Sequence, residues 1–165
     1  MSTRSSGPDS AERIVDIRLD ERTLVRRSPE VEHERAVAIY DILERNRFVP
    51  LGVGAGPYTL HLRVEDLRRL VFDIRDVDGT PLRAVVLALT PFRRTIRDYF
   101  QICESYYDAI KRLSPSQIET LDMARRALHN EGSARLMERL DGKIEVDAET
   151  ARRLFTLVCV LHIRG

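Results

Sequence analysis

The sequence predicts an α+β fold made of one strand, one helix, a three-strand meander and then three or four helices. Apolar and polar residues alternate in four segments before Thr90, whereas from Thr90 onward apolar residues recur every three or four positions. Strands grouped ahead of helices are typical of α+β folds and argue against a doubly wound arrangement. At 165 residues, the chain has the length of one domain with its own core. We therefore expect a small antiparallel sheet, comprising the meander and the N-terminal strand, packed against helices from both halves.

The first two predicted elements are a strand and a helix. Isoleucine and valine alternate with charged residues over positions 13–20, which is the pattern of a half-buried strand. Ser28 then stands where an N-cap is expected and Pro29 at the first helical position. Three glutamates follow near the positive end of the helix dipole. The helix is expected to run to about Asn46.

A glycine-rich connection leads from this helix to the meander. Its sequence VPLGVGAGPY has a GxGxG spacing, but a phosphate-binding loop needs a strand before the glycines and a helix after them. Here a helix precedes the glycines and alternating residues follow them, so we expect no nucleotide site. The segments 58–64, 69–76 and 81–90 all read as strands. Asp78 and Gly79 supply the turn between the last two, which makes them the clearest hairpin in the chain.

The second half of the chain is predicted to be helical. Thr90 is expected to cap a helix with a broad apolar face, and Ser114 with Gln117 forms a capping box at the start of the next. Asp147 caps a last helix in which residues 154–163 are apolar nearly all round. Such a helix lies either in the centre of the domain or in a dimer interface, and its β-branched residues also leave a C-terminal strand open.

Composition and cysteine usage favour a cytoplasmic protein. Residues 1–11 are polar and lack an apolar signal segment, so we expect a disordered tail followed by a single domain over 12–165. Cys103 and Cys159 have apolar neighbours and no CxxC partner, which favours buried thiols in a reducing compartment. No apolar run approaches the roughly 18 residues of a membrane-spanning helix. A net charge of +1 argues against nonspecific binding of nucleic acid, although it leaves a local basic patch open.

The sequence carries no recognisable catalytic, cofactor or metal motif, so an enzyme is not the favoured interpretation. The four histidines are far apart and none has a second ligand at a metal-binding spacing; they are His33, His61, His129 and His162. The one enzymatic arrangement that these residues suggest is an acid–base pair of His129 with Glu131. Residues two apart on a helix point about 200° from each other, which speaks against that pair.

Arginines at a predicted helix start form the first candidate site. Arg93 and Arg94 fall in the first turn and Arg97 one turn later, although cations oppose the helix dipole by roughly 0.3–1 kcal/mol each. No acid occurs within residues 79–97 to compensate them. Either acids from elsewhere pair with them, such as the glutamates of the first helix, or they bind an anion such as RNA phosphate or a phosphorylated ligand. Arg83, on the preceding strand, is a further candidate for this anion site.

Residues 123–135, MARRALHNEGSAR, form the second candidate site. Acids here and just before stand four residues ahead of arginines, so much of this polar helix face neutralises itself. Arg125, His129 and Asn130 remain without an assigned partner and are candidates for contact with a ligand or a partner protein. Gly132 either ends the helix or allows a second helix to pack closely, and the sequence leaves both alternatives open.

Several long stretches carry a resemblance to a known family. They include LALTPFRRTIRDYFQICESYYDAI, RRALHNEG and ARRLFTLVCVLH, and with others in the same order they span Arg13 to His162. The chain resembles an alphaproteobacterial family of uncharacterised proteins. This resemblance implies a bacterial cytoplasmic protein and implies no activity, so no functional residue is transferred from it.

These observations favour a protein that works by binding. We expect a regulatory or adaptor module that self-associates through the apolar surface of its last helix or binds a protein partner, without a cofactor and without a membrane. The alternative is recognition of RNA or a phosphorylated ligand by Arg83, Arg93, Arg94 and Arg97.

Overall fold

The computed structural model describes residues 11–20 and 29–162, and for His162 it describes the backbone only. Within these residues lie the strands β1 (Ile14–Leu19), β2 (Phe48–Pro50), β3 (Tyr58–Glu65), β4 (Arg69–Arg75), β5 (Pro81–Ala88) and β6 (Ile144–Val146). The helices are α1 (Pro29–Glu44), α2 (Thr90–Ala109), α3 (Pro115–Leu140) and α4 (Ala148–His162). The predicted α+β class is confirmed. The predicted N-cap Ser28 and residues 1–10 of the predicted tail lie outside the described residues.

The main sheet has the strand order β1-β3-β4-β5. Strands β3, β4 and β5 form the predicted antiparallel meander. Gly79 adopts a positive φ of 89° in the turn between β4 and β5, and its N–H donates to the carbonyl of Asp76. Strand β1 joins the edge as predicted, but it pairs parallel with β3, so the expectation of a purely antiparallel sheet is wrong for this strand. Helix α1 explains the difference, because a crossover connection brings the chain back beside β1 in the same direction.

A second sheet was not predicted from the sequence. Strands β2 and β6 pair antiparallel over three residues each, with Phe48 opposite Val146 and Pro50 opposite Ile144. This small sheet ties the glycine-rich connection after α1 to the segment between α3 and α4. It therefore holds α4 in place beside α1.

The helix boundaries follow the predicted caps at α3 and α4 but not at α2. Ser114 accepts a hydrogen bond from the N–H of Gln117 (3.3 Å), and the Gln117 side chain accepts from the N–H of Ser114 (3.0 Å). Asp147 accepts from the N–H of Thr150 (2.9 Å). At α2 the predicted cap is wrong, because Leu89 occupies the N-cap position and Thr90 is already helical. Leu89 is fully buried, so packing rather than a polar cap fixes this helix start.

Helix α4 is the central helix of the domain. It packs against α1, α3 and β3, and its fully buried residues include Leu154, Phe155 and Val158. Of the two predicted alternatives, the central position is therefore the one observed. The apolar surface that suggested self-association through α4 is already covered within one chain. Among the described residues, no helix is both long enough and apolar enough to cross a membrane.

Candidate functional site

An open polar groove lies between the four helices in the described part of the chain. It has a volume of about 460 Å³, and all four helices contribute to its walls. We call it the helical groove and define it by Glu34 of α1, Tyr99 and Tyr107 of α2, Arg125 and His129 of α3, and Arg152 of α4. Small-molecule sites usually have volumes of roughly 300–1,000 Å³, so the helical groove has the size of such a site.

Helices α1 and α2 meet in the helical groove through one carboxylate and two phenols. The Tyr99 hydroxyl donates to Glu34 Oε1 (3.2 Å), and the Tyr107 hydroxyl donates to Glu34 Oε2 (2.9 Å). Tyr99 and Tyr107 are eight residues apart, close to two helical turns, so they lie on one face of α2. Burial and then the Glu34 carboxylate raise the pKa of both phenols above the usual range. Both hydroxyls therefore remain protonated donors at neutral pH.

His129 forms the floor of the helical groove and is only 8% exposed. Its Nε2 lies 2.8 Å from the hydroxyl of Thr156, and its ring packs between Tyr99 and Phe155 at centroid distances of 5.4 and 5.3 Å. The Nδ1 atom is buried and has no hydrogen-bond partner among the described residues. If Thr156 donates to the Arg152 carbonyl, then Nδ1 is an unused acceptor; if Thr156 donates to Nε2, then Nδ1–H is an unused donor. In either tautomer, the Nδ1 atom of His129 lacks a hydrogen-bond partner among the described residues.

His129 is neutral at physiological pH. Burial, followed by the charges of Arg152 and Arg125, lowers the pKa of this imidazole from 6.5 to about 4. A neutral imidazole can accept and donate one hydrogen bond at once. His129 therefore offers hydrogen bonding rather than charge to anything that occupies the helical groove.

Arg125 is fixed by an acid and an aromatic ring. Its guanidinium donates to Asp122 (2.5 Å) one turn earlier in α3, and lies over the Tyr106 ring at 5.4 Å from the centroid. The same Asp122 also accepts from Arg126 (2.6 Å). Arg125 Nε is buried and has no hydrogen-bond partner among the described residues. On this wall, the Asp122 carboxylate thus pairs with both Arg125 and Arg126. The Nε–H of Arg125 has no acceptor among the described residues.

Arg152 brings a further cation to the same wall. Its guanidinium donates to the side-chain oxygen of Asn130, which is a neutral acceptor. Within the described part of the chain, no carboxylate lies within ion-pair distance of Arg152. The neighbouring Arg153 differs, because it lies 3.6 Å from Asp41 and 3.1 Å from Glu149. The helical groove is therefore positive near α3 and Arg152, and acidic beside Arg153.

Comparison with known proteins places the chain in a family. The family model described as "Uncharacterised protein family (UPF0262)" matches residues 11–164. The chain belongs to the UPF0262 family. A UPF0262 protein of Sphingopyxis alaskensis is 61% identical over 165 residues, covering 98% of this chain and 99% of that protein. Relatives in Rhodopseudomonas palustris (56% identity; 95% of this chain and 96% of the relative) and Bradyrhizobium sp. strain ORS 278 (54%; 100% and 98%) bear the same family name.

These relatives confirm the predicted resemblance to an uncharacterised alphaproteobacterial family. No solved structure matches the chain. The comparisons therefore establish the family and its bacterial origin, and arguments about function depend on the geometry of this UPF0262 chain itself.

The second candidate set from the sequence is gathered in the helical groove. Arg125 and His129 both line it, and Asn130 contacts it indirectly by binding Arg152. Helix α3 is continuous through Gly132, so the alternative in which this glycine ends the helix is excluded. Continuity also separates His129 from Glu131, which is exposed and accepts a hydrogen bond from Thr95 (3.1 Å). His129 and Glu131 therefore do not converge in one pocket.

The arginine set is only partly brought together. Arg93 donates to the carbonyl of Leu67, while Arg94 and Arg97 each lie 3.8 Å from the carboxylate of Asp98. The acid that accompanies Arg94 and Arg97 thus belongs to α2 itself. Arg83 donates to the carbonyl of Leu51 (2.5 Å). It stands at the opposite end of β5 from α2, roughly 20 Å along a strand that rises about 3.3 Å per residue. Anion binding by these residues stays a prediction.

Three residues of the helical groove escaped the sequence interpretation. The sequence pattern places Glu34 near the positive end of a helix dipole, and Tyr99 and Tyr107 on an apolar helix face. In the structure, the two hydroxyls donate to the Glu34 carboxylate. Among the described residues, no group of three or more histidine, cysteine, aspartate or glutamate side chains is placed to hold a metal ion.

Proposed function

We propose that this UPF0262 protein is a cytoplasmic binding module, regulatory or adaptor in character, whose ligand is a small acid that occupies the helical groove. The observation that carries the proposal concerns His129, a side chain that is only 8% exposed and whose Nδ1 has no hydrogen-bond partner in the described part of the chain. A buried polar atom without a partner is unfavourable by about 1–3 kcal/mol, so its retention favours a partner that arrives from outside.

The charge distribution supports an anionic ligand. Three arginines lie on this wall of the groove: Arg125, Arg126 and Arg152. Among the described residues, Asp122 is the one carboxylate that forms ion pairs with them, and it pairs with Arg125 and Arg126 only. A carboxylate or phosphate beside Arg152 would gain a charge-assisted hydrogen bond in place of the neutral Asn130 contact. Arg125, held over Tyr106, carries a buried Nε that has no hydrogen-bond partner among the described residues. A carboxylate and a phosphate would therefore be recognised in the same way, as an oxyanion bound by guanidinium groups.

The proposal can be tested by NMR titration of protein labelled with ¹⁵N at histidine. The two probes are inorganic phosphate and benzoate, which separate a phosphate from a carboxylate preference. We expect a saturable shift of the His129 ring nitrogens with at least one probe. The ring of His61, which lies on the main sheet outside the helical groove, serves as an internal reference.

Two variants make the test specific. Arg152→Gln removes the cation that has no carboxylate partner among the described residues. It should weaken binding about 10-fold or more, since a charge-assisted hydrogen bond contributes about 1.5–3 kcal/mol. The matched control Arg139→Gln changes an exposed arginine of α3 that does not line the helical groove, and should leave binding unchanged. Absence of a saturable His129 shift with both probes, or equal effects of the two variants, would contradict the proposal.

A further inference from the structure

The two edges of the main sheet are built differently. At the β1 edge, the Asn46 amide accepts from the N–H of Ile14 (2.8 Å) and donates to the carbonyl of the same residue (2.9 Å). The Asp16 side chain accepts from the N–H of Ile17 (3.0 Å), and a register shift interrupts the strand between Ile14 and Asp16. Side chains that occupy backbone groups, inserted charges and bulges all prevent an edge strand from pairing with another chain. The β1 edge is therefore closed.

The β5 edge has fewer of these devices over most of its length. A register shift interrupts its pairing with β4 at Leu82, between Pro81 and Arg83, but from Arg83 to Ala88 the pairing is regular. Among the described residues, the backbone of β5 is hydrogen-bonded only to β4. The one proline is Pro81, the first residue of the strand, where proline is tolerated. The one charged residue, Arg83, directs its guanidinium to the carbonyl of Leu51 within the same chain. Among the described residues, a regular row of backbone groups over positions 83–88 is thus left open.

The outward face of β5 is apolar. Ala84, Val86 and Ala88 are exposed on it, and Val86 is 47% exposed although its side chain is wholly aliphatic. An edge strand with exposed apolar side chains is a template for pairing with another strand. Because the β1 edge is closed and the β5 edge is not, pairing is expected only at β5.

We infer that β5 pairs antiparallel with β5 of a second copy of this chain, giving a two-fold symmetric dimer with one continuous eight-stranded sheet. With the two-fold axis at Val86, Ala84 lies opposite Ala88 of the partner subunit, and only small apolar side chains face one another on the outer surface. This register keeps the buried residues Val85 and Leu87 on the helix side of the sheet in both copies.

Charge at the two ends of β5 identifies a second copy as the occupant. The turn before β5 carries Asp78, whose carboxylate has no ion-pair partner among the described residues, and the start of α2 after β5 carries Arg93 and Arg94. The Arg94 side chain is 87% exposed, and its contact with Asp98 is a long one at 3.8 Å. Antiparallel pairing brings the beginning of one strand beside the end of the other. The acidic turn of each copy then adjoins the basic helix start of its partner, which accounts for cations at the positive end of α2.

Sedimentation equilibrium at tens of micromolar protein tests the dimer. We expect the unaltered protein to be dimeric and Val86→Lys to be monomeric, since a charge on an edge strand opposes pairing. The matched control is Val15→Lys, at a 39% exposed valine of the closed β1 edge, which should remain dimeric. A monomeric unaltered protein, or a Val86→Lys variant that stays folded and dimeric, would overturn the inference.

A charge exchange tests the same interface without altering the strand. Asp78→Arg and Arg94→Asp should each raise the dimer dissociation constant about 3- to 10-fold, because each places like charges together at two symmetry-related positions. The double variant Asp78→Arg with Arg94→Asp should return the constant to within about 2-fold of its original value. Both positions are exposed, so folding is retained. Additive rather than compensating effects would refute the proposed register.

Discussion

Substitution of Gly132 by alanine tests how closely α3 and α4 approach each other. A Cβ atom built at Gly132 would lie 2.0 Å from Phe155 Cζ, and 2.4 and 2.5 Å from the two neighbouring ring carbons. Phe155 is fully buried, and its ring also packs against His129. Since carbon atoms in contact are about 3.5–4.0 Å apart, either the ring or the whole of α4 must move by more than about 1 Å.

The expected magnitude comes from two opposing effects. Overpacking a filled core usually destabilises a protein by about 1–3 kcal/mol, and a clash with a fully buried ring belongs near the upper limit. Replacing glycine with alanine inside a helix returns about 1 kcal/mol of helix propensity. We therefore expect Gly132→Ala to lower the free energy of unfolding by about 2 kcal/mol, and Tm by roughly 4–8 °C for a domain of this size.

Urea denaturation followed by circular dichroism measures this change. Gly54→Ala is the matched control, because a Cβ at Gly54 meets no atom within 4 Å, and its effect should stay within about 0.5 kcal/mol. The double variant Gly132→Ala with Phe155→Leu should lose less free energy of unfolding, relative to the unaltered protein, than the two single variants lose in sum. The reason is that the smaller side chain relieves the clash. A Gly132→Ala protein as stable as the unaltered protein would refute the close approach of the helices.

Two further predictions concern titration and the arginine set. The pKa of His129 is about 4 in the folded chain and 6.5 for the free imidazole, so on acidification the unfolded chain takes up its proton first. The free energy of unfolding should therefore fall by at most about 3 kcal/mol between about pH 6.5 and 4. Urea denaturation at pH 7.5 and 4.5 measures this loss, which should be smaller in His129→Gln. An equal loss in the variant would show that His129 is not its source. If Arg93 and Arg94 bind phosphate groups, then replacing both with glutamate should abolish salt-sensitive binding of single-stranded RNA in a filter assay, whereas Arg139→Glu should not. Unchanged, salt-insensitive binding in the double variant would reject that role.

The parts of the fold that the sequence predicted are those fixed by local chemistry. The meander follows from alternation together with the turn at Gly79, and the starts of α3 and α4 follow from the side-chain caps Ser114 and Asp147. The parallel direction of β1 could not be predicted, because it depends on where α1 returns the chain. Strands β2 and β6 have three residues each, too few to show a period of two. Leu89 replaces Thr90 as the N-cap of α2 because the surrounding core fixes this position.

The candidate site shows the same division between local and tertiary information. Arg125 and His129 could be selected from the sequence, because the acids of α3 account for Arg126 and Arg135 by helical spacing alone. The partners that give these two residues their properties come from other elements. Thr156 lies 27 residues after His129, and Glu34 lies 65 residues before Tyr99. No spacing rule connects positions so far apart, so the pKa of His129 and the Glu34 hydrogen bonds required the structure.

Gly132 connects the packing of the helices to the chemistry of the helical groove. It lies three residues after His129, nearly one turn further along α3, and Phe155 directly precedes Thr156 in α4. The absence of a side chain at Gly132 lets Phe155 approach the α3 backbone, and the same approach brings the Thr156 hydroxyl to 2.8 Å from His129 Nε2. A helix pair held farther apart would lose this hydrogen bond and admit water to the imidazole, which would return its pKa toward 6.5. Gly132→Ala should therefore raise the pKa of His129 as well as lower stability, and the two effects should be relieved together by Phe155→Leu.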